Sequence, residues 1–246
     1  MARTAAALII GNELLTGKIQ ETNLRELAIA LFELGISLER TIMCRDDVDT
    51  IVADLNALRT SHDVVFTTGG VGPTHDDVTH YAVARSFGRE LYRCPELEDL
   101  IRSSLGERCT EGHLLMADIP EGSRLLRSRE VRWPTVVVDN VFVLPGLPKV
   151  FRMKLPALRD FLRGDETPFL SRAIYTTCDE GELAQKLTAV AETHDGVAIG
   201  SYPVSDRKDY RVKLTIDGTD ADSIERAVRD LVAAIPADKL VEPVDC

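Results

Sequence analysis

A glycine-rich segment followed by two adjacent aspartates offers a place where phosphate and a metal ion could bind. The segment reads Thr-Thr-Gly-Gly-Val-Gly-Pro-Thr-His-Asp-Asp-Val-Thr, and its glycines are Gly69, Gly70 and Gly72. Because glycine has no Cβ atom, the backbone N–H groups of this segment could approach ligand oxygens closely. A phosphate oxygen about 4 Å from a carboxylate is repelled by roughly 4 kcal/mol at an effective dielectric of 20. A helix N-terminus stabilises a bound anion by less than this. Asp76 and Asp77 therefore predict Mg²⁺ or another divalent cation between carboxylate and phosphate.

The elements around this segment are predicted to form a strand, a loop and a helix. Apolar and β-branched residues over 63–66 indicate a buried strand, and a helical pattern begins near Asp76. A simple tight turn with an aspartate as the helix N-cap is the alternative interpretation. Three glycines exceed what one tight turn requires, so we expect Gly70 to serve mainly close approach to a ligand.

The segment over 67–79 resembles the signature of the MoaB/Mog family of molybdenum-cofactor proteins and of CinA-like domains. Two further stretches support the resemblance. Residues 11–23 are similar to the opening of CinA-type proteins, with Asn12 where those usually have aspartate. Residues 140–149 resemble the CinA element Leu-Pro-Gly-Val-Pro, whereas 132–135 depart from the usual Ala-Pro-Gly-Phe. The resemblance implies a binding site for a nucleotide or pterin phosphate.

The ligand contacts that this resemblance implies lie in three loops. From the first and third loops they are Gly11, Asn12, Pro145 and Gly146. From the second loop they are Thr68, Gly69, Gly70, Gly72, Pro73, Thr74 and Thr79.

A third aspartate is predicted to join the site from another strand. The pattern over 36–44 predicts a strand that ends just before Asp46 and Asp47. Ligands of doubly wound α/β folds bind outside the carboxyl ends of strands, although Asp47 or Asp49 could equally cap the following helix. For Asp46 the family resemblance favours a functional role.

Metal and catalytic roles are assigned on this combined basis. The predicted metal ligands are Asp46, Asp76 and Asp77, and the predicted catalytic residues are Asp46, Asp77 and Glu13. Glu13 is a candidate general base, and a purely structural role at a helix start is the equal alternative.

The last third of the chain resembles a segment found in one group of proteins that contain a MoaB/Mog-like domain. Gly-Ser-Tyr-Pro at 200–203 and the strand pattern at 209–215 are similar to the segment that follows the MoaB/Mog-like domain of FAD synthases. This similarity narrows the kinship beyond generic CinA-like proteins.

The order of predicted elements indicates an α/β protein with two domains. Residues 1–163 alternate strands and helices, and the resemblance implies a MoaB/Mog-like three-layer domain with a mostly parallel sheet. Residues 164–168 read as a linker, and 164–246 form a smaller α/β domain. Within it we expect strands at 172–177, 197–202 and 210–216 and helices at 179–192 and 220–235. These strands and helices make up the predicted smaller domain.

Composition limits the possible partners. The net charge of −11 disfavours nucleic acid, and no stretch approaches the roughly 20 apolar residues of a membrane span. Five cysteines without a Cys-x-x-Cys pair favour a reducing compartment, so we expect a cytoplasmic protein. A phosphorylated ligand also needs local positive charge. The candidate cations are Lys18, Arg25, Arg45 and Lys149.

The function implied by the resemblance is metal-dependent hydrolysis of a dinucleotide pyrophosphate such as FAD or ADP-ribose. Molybdopterin binding or adenylylation is the alternative enzyme hypothesis, and a non-catalytic binding domain is a third. The family also suggests a homo-oligomer, either a dimer or a trimer. Since related proteins carry nicotinamide-mononucleotide deamidase and FAD-forming transferase activities on an additional domain, and this chain ends at Cys246, we expect neither activity.

Overall fold

The computed structural model describes residues 3–128 and 131–242, which divide into two compact units. The larger unit ends at Glu166 and the smaller one begins at Thr167, a boundary inside the segment 164–168.

A six-stranded sheet forms the centre of the larger unit. Its strands are β1 (Thr4–Ile10), β2 (Ser37–Cys44), β3 (Val64–Thr68), β6 (Arg124–Leu126), β7 (Thr135–Val138) and β8 (Val141–Leu144). The spatial order is β2-β1-β3-β8-β7-β6, in which the first four strands are parallel and β7 is antiparallel to both of its neighbours, β8 and β6. The predicted mostly parallel sheet is confirmed. A separate pair, β4 (Leu91–Arg93) and β5 (Asp118–Pro120), lies outside it.

Helices cover both faces of this sheet. They are α1 (Asn12–Leu15), α2 (Asn23–Phe32), α3 (Val48–Arg59), α4 (Thr79–Ser86), α5 (Pro95–Leu105), α6 (Glu111–Leu114) and α7 (Pro148–Leu162). Alternate residues of β1 point to opposite faces: Leu8 packs in one core with Leu55 of α3, whereas Ala7 packs in the other with Leu27 and Phe151. Two cores on either side of one sheet give the expected three layers.

The carboxyl ends of four strands meet at one edge of the sheet. Ile10 lies beside Cys44, and Thr68 lies beside Ile9 and Leu144. Since β7 runs antiparallel to β8, its first residue Thr135 reaches the same edge. All three loops predicted to bind a ligand therefore leave the sheet on one side.

Helix α4 begins three residues later than the sequence pattern indicated. The backbone N–H of Thr79 donates to the Gly70 carbonyl at 3.0 Å, which folds the intervening loop back onto the end of β3. Asp76 and Asp77 lie in this loop and precede the helix N-cap Val78. Neither aspartate is the helix cap that the alternative interpretation required.

Asp47, by contrast, is a helix cap. Its side chain accepts a hydrogen bond from the Thr50 N–H at 2.9 Å at the start of α3. The capping alternative for Asp47 is therefore confirmed.

The smaller unit has its own sheet and core. Its elements are β9 (Leu170–Thr176), α8 (Glu180–Ala191), β10 (Val197–Pro203), β11 (Val212–Gly218), α9 (Ala221–Ala234) and β12 (Leu240–Val241). The antiparallel order is β10-β11-β9-β12, and Leu183, Leu214 and Leu231 are fully buried against one another. The predicted three strands and two helices are found, and β12 was missed. Across the described residues, no helix has the length and apolarity to cross a membrane.

Candidate functional site

A pocket of about 600 Å³ opens at the carboxyl edge of the sheet in the larger unit. The residues predicted for the site that line it are Thr68, Gly69, Gly70 and Gly72 after β3, Pro145 and Gly146 after β8, and Glu13 and Asp77. Three separate predicted loops thus meet around one cavity.

Two glycine loops cross at the base of this pocket with little room between them. A Cβ atom on Gly69 would lie 2.0 Å from the Ile10 carbonyl oxygen, and one on Gly146 would lie 3.2 Å from the Gly69 Cα atom. Gly69 also has a φ of 103°, a conformation that favours glycine. Position 69 therefore requires glycine for the fold itself.

Three consecutive backbone amides are free to bind an anion. In the described part of the chain, the N–H groups of Gly70, Val71 and Gly72 donate no hydrogen bond, whereas the Gly69 N–H donates to Leu144. All of these residues line the pocket. Unpaired amides in a turn form a concave anion site, so this loop has the geometry of a phosphate cradle.

Thr79 and Asp77 hold the shape of the glycine loop. The buried Thr79 hydroxyl donates to the Gly69 carbonyl at 2.8 Å. Asp77 Oδ2 accepts from the N–H and the hydroxyl of Thr74, at 2.8 and 2.5 Å. Thr79 lies outside the pocket lining, so its hydrogen bond to Gly69 gives it a structural position.

Carboxylates from two other loops lie beside the cradle. Asp46 Oδ1 is 3.4 Å from the position of a Cβ atom on Gly70, and Asp46 Oδ2 accepts the backbone N–H of Asn12 at 2.8 Å. Burial raises the pKa of Asp46, the hydrogen bond from Asn12 opposes that rise, and the charges of Glu13 and Asp76 add to it. The three carboxylates therefore repel one another across the end of the sheet.

Such mutual repulsion is what a bound cation would relieve. The nearby Thr74 side chain lowers the pKa of the exposed Asp76, so that carboxylate is charged at neutral pH. In residues 3–128 and 131–242, no group of three or more His, Cys, Asp or Glu side chains forms a complete metal site. A cation here would need ligand oxygens from the substrate or water, which is how Mg²⁺ is usually held beside phosphates.

Asp46 and Asp76 lie beside the pocket and outside its lining, and so do the remaining predicted residues. Gly11 is buried beneath Glu13, whose Oε1 is 2.7 Å from the position of a Cβ atom on Gly11. Asn12 is exposed and contributes its backbone N–H to Asp46. Pro73 and Thr74 are exposed in the loop before α4. Their roles as ligand contacts stay predictions.

Asn23 is a pocket residue that the sequence analysis did not single out. It is 5% exposed at the start of α2, and its Nδ2 donates to the Gly146 carbonyl at 2.8 Å and to the Thr68 hydroxyl at 3.2 Å. Asn23 therefore ties the two glycine loops together. Asn23 is the last residue of the stretch 11–23 that is similar to CinA-type proteins, and this position could have identified it.

The pocket also contains a basic group that was not predicted. Lys154 is 3% exposed, and among the described lining residues it is the only lysine or arginine. The four cations named from the sequence are all exposed and outside the lining: Lys18, Arg25, Arg45 and Lys149. A lysine within the apolar stripe of Phe151, Leu155 and Leu158 was the signal that could have identified Lys154.

His80 and Trp133 also line the pocket. Burial lowers the pKa of His80 to about 4, against the opposing charges of Asp118 and Asp77. The imidazole is therefore neutral at pH 7 and can only exchange hydrogen bonds with a ligand.

Comparison with known proteins agrees with this fold and site. Residues 6–163 match the family described as a probable molybdopterin binding domain, and residues 168–244 match the middle domain of FAD synthase. The chain belongs to the molybdopterin-binding domain family. The MoaB/Mog-like and FAD-synthase-like resemblances of the two segments are both confirmed.

Individual relatives come from animals, archaea and bacteria. A probable FAD synthase of Caenorhabditis elegans is 31% identical over 93% of this chain and 49% of its own length. A protein of Archaeoglobus fulgidus is 30% identical over 89% of this chain and 93% of its own. A CinA-like protein of Gemmatimonas aurantiaca is 32% identical over 82% and 51%. The chain thus spans about half the length of the first and third relatives.

A solved structure shares the fold of the larger unit. The crystal structure of the protein CinA from Thermoplasma acidophilum, described as of unknown function, aligns with a TM-score of 0.60 at 29% identity. The alignment covers 65% of this chain and 98% of that one.

Proposed function

We propose that the larger unit binds a dinucleotide through its pyrophosphate and hydrolyses it with a divalent cation, acting on FAD or ADP-ribose. The observation that carries this proposal is the juxtaposition of three free amides at Gly70, Val71 and Gly72 with the carboxylate of Asp46. Amides alone suit an anion, and carboxylates alone suit a cation. Both together suit a phosphate that arrives with a metal ion.

Each group has a distinct task in this proposal. The amides of the glycine loop would hold the phosphate oxygens. Asp46, after β2, and Asp76, before α4, would hold the cation, and Asp77 follows Asp76 in the same loop. A divalent cation would neutralise phosphate charge and polarise the phosphoryl group. Asp77 has one oxygen occupied by Thr74, so it also keeps the loop in its binding shape.

Glu13 is the proposed general base. It is half-buried, lines the pocket and is close enough to Asp46 for their charges to interact. A carboxylate in this position could accept a proton from the attacking water.

The relatives support a flavin dinucleotide as one substrate. One relative is named a probable FAD synthase, and residues 168–244 match a domain of that enzyme. Molybdopterin binding is the second candidate, favoured by the description of the family that residues 6–163 match. The same three amides would then hold the pterin phosphate.

A substrate panel separates these functions. FAD, ADP-ribose and adenylylated molybdopterin would each be incubated with Mg²⁺, Mn²⁺ or Co²⁺, and the products separated by chromatography. We expect cleavage of FAD or ADP-ribose that stops when the cation is chelated. Tight binding of all three without cleavage would instead indicate a binding domain, and cleavage of the molybdopterin compound alone would favour the second candidate.

Asp46→Asn tests the carboxylate in this reaction. The amide oxygen can still accept the Asn12 N–H, while the lost charge should lower cation-dependent turnover at least about tenfold. Because the pKa of Asp46 is raised in the folded protein, its ionisation disfavours folding. The variant should therefore be slightly more stable than wild type at pH 7, with the difference disappearing at low pH.

Asp49→Asn is the matched control for Asp46→Asn. Asp49 is exposed at the start of α3 and pairs with Arg85, away from the pocket lining. Full turnover in Asp46→Asn at saturating cation would remove Asp46 from the mechanism.

A further inference from the structure

Lys154 is a buried cation without a carboxylate partner among the described residues. Its ammonium group donates to the Trp133 carbonyl at 2.9 Å and to the Pro134 carbonyl at 2.8 Å. Both carbonyl residues also line the pocket. Since an ammonium group has three N–H donors, one donor remains for a ligand.

Burying that third donor without a partner is unfavourable. An unpaired N–H on a charged group costs more than one on a neutral group, and burial accordingly lowers the pKa of Lys154 to about 8. The amine is still mostly protonated at pH 7. A ligand oxygen at this point would complete its hydrogen bonding.

The order of strands separates Lys154 from the phosphate cradle. The cradle follows β3, and the two carbonyls that Lys154 binds precede β7, with β8 between them. Adjacent strands are about 4.8 Å apart, so the two ends of the pocket are about 10 Å from each other. That distance leaves room for a sugar or polyol between a phosphate and a ring.

The walls at the lysine end suit a ring and disfavour a phosphate. Trp133 and Pro134, whose carbonyls accept from Lys154, line the pocket there, and Val150 lines it one turn before Lys154 on α7. A doubly charged phosphate would lose its hydration against these apolar groups, whereas a planar heterocycle would bury apolar area.

We propose that Lys154 donates a hydrogen bond to a ring carbonyl oxygen and thereby selects oxo-substituted heterocycles, such as flavin or pterin, over adenine. This inference rests on the proposed function for the position of the phosphate, and of the two proposed substrates it favours FAD over ADP-ribose, whose only heterocyclic base is adenine. Lysine is a donor only, and it pairs well with the adjacent carbonyl and nitrogen acceptors of guanine-like edges. The corresponding edge of adenine places an amino donor beside its acceptor.

IMP and AMP form a matched pair of ligands for this test. They share sugar and phosphate and differ at C6, where IMP has a carbonyl and AMP has an amino group, and at the adjacent N1, which carries a hydrogen only in IMP. Calorimetric titration measures binding of both to wild type, to Lys154→Met and to Lys149→Met, whose exposed lysine is on the same helix outside the pocket. Because only binding is measured, failure of the hydrolysis proposal does not affect the result.

We expect wild type and Lys149→Met to prefer IMP at least about tenfold, as a hydrogen bond from a charged donor implies. Lys154→Met should lose that preference through weaker IMP binding, with AMP changed less than twofold. FMN and neopterin phosphate, titrated in the same way, identify which natural ring is preferred.

Three results would overturn the proposal. Equal loss of IMP and AMP binding in Lys154→Met would place the lysine at the phosphate. An unchanged IMP preference would leave it a purely structural role. If Lys154→Met does not fold, the wild-type comparison decides alone, and equal affinity for IMP and AMP, or no binding of IMP, FMN or neopterin phosphate, excludes ring-carbonyl selection.

Discussion

Single residues in the glycine loop serve the fold before they serve a ligand. We expected Gly70 to be required mainly for close ligand approach, and that expectation is wrong. Its φ is 62°, and a Cβ atom there would lie 2.4 Å from the buried hydroxyl of Thr79. The sequence pattern showed that glycine occupies position 70. It did not show that Thr79, in the following helix, leaves no room for a Cβ atom there.

Gly70→Ala should therefore destabilise the ligand-free protein. A left-handed alanine costs about 1–2 kcal/mol, and the contact with Thr79 adds to this, so we expect a loss of at least about 2 kcal/mol in the free energy of unfolding. Chemical denaturation measures it.

Gly88→Ala supplies the control for Gly70→Ala. Gly88 has nearly the same φ, 61°, and no atom within 4 Å of a Cβ at that position. Gly88→Ala should lower the free energy of unfolding only by the cost of placing alanine in a left-handed conformation. Equal losses of stability in the two variants would mean that the Thr79 side chain moves aside at no cost in free energy.

The chemistry of individual side chains was predictable where it depended on local sequence. Local sequence offered capping by Asp47 as one of two open interpretations, and the family motifs that contain Glu13 and Asp77 indicated their place at the pocket. Lys154 could not be placed in this way, because a lysine on a helix is usually exposed and its partners are twenty residues away in sequence.

At the scale of elements, strands and helices were predicted better than the loop before α4. Periodicity identifies strands such as β3 because every residue of Val64–Thr68 is buried. The start of α4 was misplaced because its position depends on the hydrogen bond between Thr79 and Gly70. Such a turn is closed by tertiary packing that periodicity does not report.

Asn23 joins the two glycine loops, in addition to the hydrogen bond from the Thr68 hydroxyl to the Pro145 carbonyl at 3.1 Å. Asn23→Ala removes the hydrogen bonds that Asn23 donates to Gly146 and Thr68 and leaves their oxygens buried. We expect a loss of about 1–3 kcal/mol in stability and, because both loops line the pocket, weaker binding of FMN.

Asn140→Ala distinguishes binding from stability in this experiment. Asn140 also donates to two backbone carbonyls, those of Arg59 and His62, and it lies outside the pocket lining. Its loss should lower stability with unchanged affinity for FMN. If the two variants bind FMN equally, Asn23 has no role in shaping the pocket.

At the scale of the whole molecule, charge and site chemistry oppose each other. The net charge is −11, Glu13, Glu21 and Asp77 line the pocket, and among the described lining residues only Lys154 is basic. A phosphorylated ligand approaching without a divalent cation therefore meets a repulsive field. The site depends on short-range amides and a cation to overcome this field.

This opposition predicts an unusual salt dependence for association. With divalent cations chelated, raising monovalent salt from about 10 to about 150 mM shortens the screening length from about 30 to about 8 Å. The association rate of FMN, followed by stopped-flow flavin fluorescence, should then rise severalfold, whereas that of uncharged riboflavin should not change. A rate that falls with salt would mean that the electrostatic potential outside the pocket is positive in spite of the net charge. The positive field of the glycine-loop amides and Lys154 would then extend beyond the pocket opening.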